Sequence, residues 1–196
     1  MAEETDGRHA RTGRTRTAVL DAFVALAADG TQPTMEEVAD EAAISVRSVF
    51  RHFPDVPAVV VAALAHALAA EHPGRSGIGP SRAVAQRVVS VVEARSEFNE
   101  SIVTLFGLAA AVGVADPGVA ASLTRSRAAG RRWLSDVFTR ELGRRSGSAR
   151  TALLDAMEAA VSPATWHGIR VDQGLTEARG RRVVEMLLMG ALAGGR

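Results

Sequence analysis

A chain of 196 residues, 47% of them hydrophobic, is long enough for one large helical domain or a small domain joined to a larger one, and too apolar to be disordered. It contains no cysteine, which excludes disulfides and thiolate metal sites and makes a reducing cytoplasm the expected compartment. The net charge of +1 indicates no particular partner, although residues 1–55 hold six Arg against ten acidic residues.

The N-terminal residues 1–13 are polar, include two glycines, and are predicted to form a flexible arm. They contain no apolar stretch, so we do not expect a signal peptide. From Arg14 onward apolar residues recur at helical spacing as far as Ala27, and Gly30 is a typical position for a helix to stop. The first helix is therefore predicted to begin at Arg14.

Two short helices are predicted next. Thr34 and Glu37 have the spacing of a capping box, in which the Thr hydroxyl accepts the amide of Glu37 and the Glu carboxylate reaches back to the Thr amide. Ser45 is the N-cap candidate of the second helix, predicted over 46–53, which Pro54 ends.

A longer helix follows, capped by Asp55, and runs to about Glu71. Its apolar run is interrupted by Pro57 and His66 and is too short to span a bilayer, so no membrane partner is expected. Residues 72–80 are rich in Gly and Pro and are predicted to be a linker. Further helices are predicted at about 81–95, 99–113, 117–143, 148–169 and 176–193. No strand-like alternation is visible, so the fold class is all-α.

Two short capped helices, joined by a turn at Ala43-Ile44 and preceded by a longer helix, are typical of a helix-turn-helix. Residues 14–71 also resemble the N-terminal domain of TetR-family transcriptional regulators. The resemblance lies in Val19-Leu20-Asp21-Ala22, Gly30, Thr34-Met35-Glu36-Glu37-Val38-Ala39, Ala42-Ala43-Ile44-Ser45 and Ser48-Val49-Phe50-Arg51-His52-Phe53-Pro54. It covers roughly the first third of the chain. It implies a three-helix DNA-binding domain over 14–71, including the connecting helix, and an effector-binding and dimerisation domain over 81–196.

The resemblance further implies a homodimeric repressor that binds palindromic double-stranded operator DNA and is released by a small-molecule effector. The second short helix contains no acidic residue, and Arg47 could hydrogen-bond a guanine edge bidentately. The candidate DNA-binding residues are Thr34, Ser45, Val46, Arg47, Ser48, Phe50, Arg51, His52 and, on the first helix, Arg14.

Three positions depart from the TetR pattern. Ala43 stands in the turn where the family usually has Gly, and a left-handed Ala costs on the order of 1 kcal/mol. Phe50 lacks the hydroxyl of the usual Tyr, which meets a phosphate. Val56 stands near the place of a usual Lys, so two phosphate contacts are in question. The arginines of the predicted arm and first helix, Arg16 among them, are candidates to contact the DNA backbone or minor groove instead.

The rest of the chain contains no catalytic constellation, nucleotide loop or closely spaced His pair, so we expect no enzyme activity, cofactor or metal site. The resemblance implies an effector pocket among the later helices, with Phe98, Phe106, Leu123, Trp133, Val137, Met157 and Trp166 as candidate walls. Few charged residues lie on the helix faces that carry these side chains, which favours an apolar or planar effector. For each of these residues, a place in an ordinary hydrophobic core stays open as the alternative.

The last predicted helix is apolar nearly all round, so one face must find cover beyond its own subunit. With the helix before it, it resembles the paired helices through which TetR-type proteins dimerise. The candidate interface residues are Leu153, Met157, Val184, Leu187, Leu188 and Ala191.

Two other interpretations compete. The acidic first third, Phe50 and Val56 would also suit a protein that kept this fold but lost DNA binding. A small helical enzyme is the third hypothesis, and the sequence offers no nucleophile–base pair for it.

Overall fold

The computed structural model describes residues 2–28, 30–70, 78–79, 82–112 and 117–194, and these residues form helices and connecting turns without any strand. The predicted all-α class is confirmed. The α-helices are α1 Ala2–Ala27, α2 Met35–Glu41, α3 Val46–His52, α4 Val56–Ala70, α5 Val84–Ser101, α6 Val103–Val112, α7 Pro117–Val137, α8 Thr139–Gly143, α9 Gly147–Ala160, α10 Pro163–His167 and α11 Glu177–Ala193. A π-helical turn, Gly168–Asp172, follows α10 directly.

The chain divides into two compact units. The first unit comprises residues 1–68 and 104–122, and the second comprises 69–103 and 123–196. The prediction divided the chain at a linker over 72–80, most of which lies outside the described residues. Residues 104–122 group with the N-terminal residues because of packing between segments distant in sequence, which a local pattern does not reveal.

Several predicted helix limits are wrong. Residues 2–13, expected to be a flexible arm, belong to α1, because isolated glycines cost only about 1 kcal/mol each in a helix and do not break it. The single helix predicted over 148–169 is interrupted at Ser162, whose hydroxyl accepts the amide of Thr165 at 3.1 Å and starts α10 with Pro163 in its first turn. The helix predicted over 117–143 is likewise interrupted, at Phe138.

The second unit is built on one hydrophobic core shared by α5, α7, α8, α9, α10 and α11. Its buried members are Val88, Val91, Val92, Trp133, Leu134, Val137, Phe138, Leu142, Leu153, Met157, Ala160, Val161, Trp166, Ile169, Val184 and Leu188. Gly180 of α11 permits a close approach here, because a Cβ atom at this position would lie 3.1 Å from Ile169 and 3.3 Å from the Trp166 ring. A side chain at position 180 would therefore require Ile169 or the Trp166 ring to shift by a few tenths of an ångström.

No single helix in the described part of the chain is long and apolar enough to cross a membrane. Within the same residues, the pair α3 and α4 taken together reaches that length and composition, and the two helices are bent by 72° relative to one another.

A buried ion pair crosses the second unit from α5 to α8. The Arg87 side chain is 2% exposed, and its guanidinium donates to both carboxylate oxygens of Glu141, at 2.7 and 2.9 Å. It also donates to the carbonyl oxygens of Val137 at 2.6 Å and Arg82 at 3.1 Å. The hydrogen bonds from Arg87 to the Glu141 carboxylate hold the pKa of Glu141 below its ordinary value, against the opposing effect of burial. The bidentate geometry and extra acceptors satisfy a charge that would otherwise be costly to bury.

We expect Glu141→Gln to lower the free energy of unfolding by roughly 3 kcal/mol at neutral pH, because it leaves the buried Arg87 without its counter-charge. Since the folded pKa of Glu141 is depressed, the stabilisation is present above the ordinary carboxyl pKa of 4.5 and is lost as pH falls through the lower folded value. Denaturant unfolding of both proteins across this pH range should show the difference shrinking. Glu97→Gln, at an exposed position on α5, is the control and should stay within about 0.5 kcal/mol of the parent. If the difference in free energy of unfolding between the parent and Glu141→Gln does not change with pH, the assigned ion pair between Arg87 and Glu141 is contradicted.

Candidate nucleic-acid interface

The helix pair α2–α3 is capped as the sequence predicts. The Thr34 hydroxyl accepts the amide of Glu37 at 3.2 Å, and the Glu37 carboxylate accepts the Thr34 amide at 2.8 Å. The hydrogen bonds from Thr34 lower the pKa of Glu37. At the start of α3 the Ser45 hydroxyl accepts the amide of Ser48 at 3.2 Å and lies 3.0 Å from its hydroxyl. Each cap therefore uses one amide at the start of its helix for a hydrogen bond within the protein.

The turn between the helices contains the strained residue that the sequence suggested. Ala43 has φ +53°, in the left-handed region that L side chains rarely adopt. The next amide, that of Ile44, donates back to the carbonyl of Ala39 at 3.0 Å and closes the end of α2. The turn therefore has its helix-closing geometry even though it lacks glycine.

One face of α3 is fixed by burial. Val49 is fully buried and the following Phe53 is 1% exposed, while α2 packs against both α1 and α3. The opposite face carries Arg47, Phe50 and Arg51, all exposed. This outward surface of α3, formed by Arg47, Phe50 and Arg51, is called the reading face below.

The acidic residues of this region lie on α2 rather than on α3. Glu36, Glu37, Asp40 and Glu41 are exposed there, whereas α3 carries no acid. Glu36 and Glu37 lie in the first turn of α2, where their negative charges interact favourably with the positive end of the helix dipole. The net acidity of the N-terminal residues is therefore not spread over the reading face.

His52 and Arg16 have surroundings within the protein that the sequence did not indicate. The Nε2 atom of His52 is buried without a hydrogen-bond partner, and desolvation, followed by the charges of Arg51 and Arg16, lowers the pKa of His52. Arg16 on α1 donates to the backbone carbonyl of His52 at 3.3 Å and lies 4.3 Å from the centre of the Phe53 ring. A cation at the negative end of a helix is stabilising, so the exposed Arg16 holds the end of α3 against α1.

That positioning role was missed because the spacing of residues 16 and 52 carries no local signal. Arg14, the other candidate on α1, is exposed, while Val46 at the start of α3 is half-buried. The first unit also has a hydrogen bond from α4 to α1, with 2.6 Å between His66 Nε2 and an Asp21 carboxylate oxygen. Asp55 caps α4 as predicted by accepting the amide of Ala58 at 2.8 Å.

The predicted effector walls fall into different environments. Trp133, Val137, Met157 and Trp166 are buried in the core of the second unit. Phe98 and Leu123 are half-buried in the same unit, and Phe106 belongs to the first unit. No property of these residues in the structure distinguishes an effector wall from a core position, so the pocket stays a prediction.

The polar surroundings of Trp166 were not anticipated from the sequence. Its ring nitrogen donates to Glu100 at 2.6 Å, and Arg170 of the π-helical turn donates to the same carboxylate at 2.6 and 2.9 Å. The hydrogen bond from Arg170 is the main cause of a lowered pKa at Glu100. Nearby on α5, the amide nitrogen of Asn99 donates to the carbonyl of Val161 at 3.0 Å.

The predicted dimer-interface set divides in two. Four of its members are buried in the core of their own unit: Leu153, Met157, Val184 and Leu188. The prediction that these four side chains contact a second subunit is therefore wrong. Leu187 is 46% exposed, and Ala191 is half-buried. Two further residues that were not selected, Met186 and Met189, are 66% and 37% exposed. Helical periodicity explains the division, because residues four apart on α11 share the inner face.

Among the described residues, no group of three or more His, Asp or Glu side chains could hold a metal ion.

Comparison with known proteins finds similarity to solved structures. No protein-family model matches the chain, and no curated protein matches it. The chain is similar to the crystal structure of a "putative transcriptional regulator" from Pseudomonas aeruginosa PAO1, with 18% sequence identity and a TM-score of 0.51 over 91% of this chain and 90% of that chain. At this identity the similarity shows a shared fold.

We expect Ala43→Gly to raise the free energy of unfolding by about 0.5–1 kcal/mol, because glycine relieves the left-handed strain at some cost in chain entropy. The matched control is Ala42→Gly, one residue earlier, where φ is −78° and glycine relieves nothing. It should be neutral or destabilising by up to about 1 kcal/mol. Thermal and denaturant unfolding measure both; a destabilising Ala43→Gly would contradict the assigned turn geometry.

Proposed function

We propose that this chain is a TetR-type transcriptional regulator that binds operator DNA as a homodimer through the reading face of α3. The observation that carries the proposal is the arrangement of α3 itself. Its inner side is anchored by Val49, and its outer side presents two exposed arginines without an acid on the same helix. The overall similarity to a structure described as a transcriptional regulator supports the same conclusion.

A helix held in this way has the chemistry needed for the major groove. Arg47, in the first turn of α3, has the five donors and the planar fork that pair with the O6 and N7 atoms of guanine. Arg51 lies one turn further along on the same side and can contact a base edge or a phosphate. Arg14, exposed on α1, suits a sequence-independent contact with the DNA backbone.

The second subunit is proposed to lie against the exposed side of α11, which carries Met186, Leu187 and Met189. These three apolar side chains are adjacent to Gly190, and a Cβ atom added at Gly190 would meet nothing within 4 Å. A two-fold dimer presents two reading helices and therefore reads a pseudo-palindromic site.

We further propose that a small apolar or planar effector binds among the helices of the second unit and weakens operator binding, so that the protein acts as a repressor. The walls predicted from the sequence, including Trp133 and Trp166, remain the candidates. By linkage, DNA must weaken effector binding by the same factor, typically about 5–150-fold for such couplings.

The function is tested by selecting bound sequences from random DNA and measuring their affinity at several salt concentrations. Arg47→Ala should cost about 1–3 kcal/mol of binding free energy and relax the preference at one position per half-site. Arg14→Ala should instead weaken all sequences alike and reduce the salt slope by about 1. If no sequence is enriched and binding shows no salt dependence, the competing interpretation of a fold that has lost DNA binding is the correct one.

The dimer is tested by Leu187→Glu, which places a charge in the proposed interface and should give monomers in sedimentation equilibrium. Val171→Glu introduces the same change at another exposed apolar position, on the π-helical turn, and should leave the mass unchanged. Leu188→Glu is unsuitable because Leu188 is fully buried and the substitution would disrupt the core. A monomeric parent protein would refute the proposed assembly.

A further inference from the structure

The reading face combines two kinds of surface side by side. Arg47 and Arg51 form a cationic pair four residues apart, and Val46 and Phe50 form an apolar pair with the same spacing. Phe50 is 46% exposed, whereas Val46 is half-buried. At 100° per residue, the exposed side chains of Arg47, Phe50 and Arg51 fall within an arc of about 100°. A partner that covers the two arginines must therefore also cover the aromatic ring.

The exposure of Phe50 is unusual for its surroundings. The first unit buries its other described phenylalanines at least partly, with Phe23 and Phe53 at no more than 1% exposure. Among the residues described in that unit, Phe50 is the large hydrophobic side chain that stands out as exposed. The flanking cations indicate that the surface covering it is anionic with an apolar spot.

The major groove of DNA offers that combination. Phosphates and guanine edges attract the arginines, and the C5 methyl group of thymine is the apolar group in this groove. A phenylalanine has no hydrogen-bond donor, so it gains nothing from a phosphate oxygen but can pack against a methyl group. Between residues 47 and 50 the helix advances about 4.5 Å, which is one to two base-pair steps of about 3.4 Å.

We infer that Phe50 is a specificity-determining residue that packs against the C5 methyl group of a thymine, within one to two base pairs of the guanine contacted by Arg47. The inference rests on the proposed DNA-binding function and deepens it by naming a second element of the half-site. It also gives Phe50 a role that needs no tyrosine hydroxyl, because its ring contacts a base instead of the backbone.

The test uses the operator obtained by selection, with each thymidine replaced in turn by deoxyuridine, which removes only the methyl group. For the parent protein, one position per half-site should lose about four-fold in affinity, the value of one buried methyl group. Phe50→Ala should bind the parent operator more weakly and show no further loss at that position. Phe50→Leu should keep most of the methyl dependence, since it retains an apolar side chain.

Controls separate this role from others. Arg14→Ala should weaken binding and keep the full methyl dependence. An operator with 5-methylcytosine at the same position should bind the parent protein better than one with cytosine, and Phe50→Ala should not distinguish the two. Unfolding of Phe50→Ala should match the parent, because the side chain is exposed. If operator binding does not depend on the methyl group of any thymine, or if Phe50→Ala keeps the same dependence, the inference about Phe50 is overturned while the proposed function stands. Absence of salt-dependent DNA binding would overturn the proposed function as well.

Discussion

A helix of seven residues cannot stay folded in water by itself, so α3 depends on the groups that hold it in place. The Ser45 hydroxyl caps its first turn, Val49 anchors its inner side, and Arg16 binds the carbonyl of His52 at its last turn. These three contacts come from the turn, the core and α1 respectively. The direction in which Arg47 and Phe50 point is therefore set by residues that need not touch DNA.

Polar contacts inside the second unit are as specific as its apolar packing. Arg87 joins α5 to α8 through Glu141, and the Glu100 carboxylate accepts from both Trp166 and Arg170. Each of these charges is hydrogen-bonded several times, which is the condition under which a largely buried ion can be tolerated. Such pairs fix the register of one helix against another, because a shift of one residue would separate donor from acceptor.

Local signals in the sequence predicted the helix-turn-helix well. The capping box at Thr34, the Ser45 cap and the strain at Ala43 all depend on residues within a few positions of each other, where residue type determines the geometry. Long-range contacts were not predictable: nothing near Arg16 indicates the carbonyl of His52, and the apolar pattern of α11 could not tell its inner Leu188 from its outer Leu187. The joining of 104–122 to the first unit had no local signal either.

The distribution of aromatic rings has an optical consequence. The chain contains two tryptophans and no tyrosine, and both Trp133 and Trp166 belong to the second unit. The first unit is therefore nearly silent in near-ultraviolet absorbance and fluorescence, since its phenylalanines contribute very little. Emission will follow the second unit alone, whereas circular dichroism will follow the helices of both. Any lag between the two signals during melting would reveal that the units unfold as separate cooperative blocks.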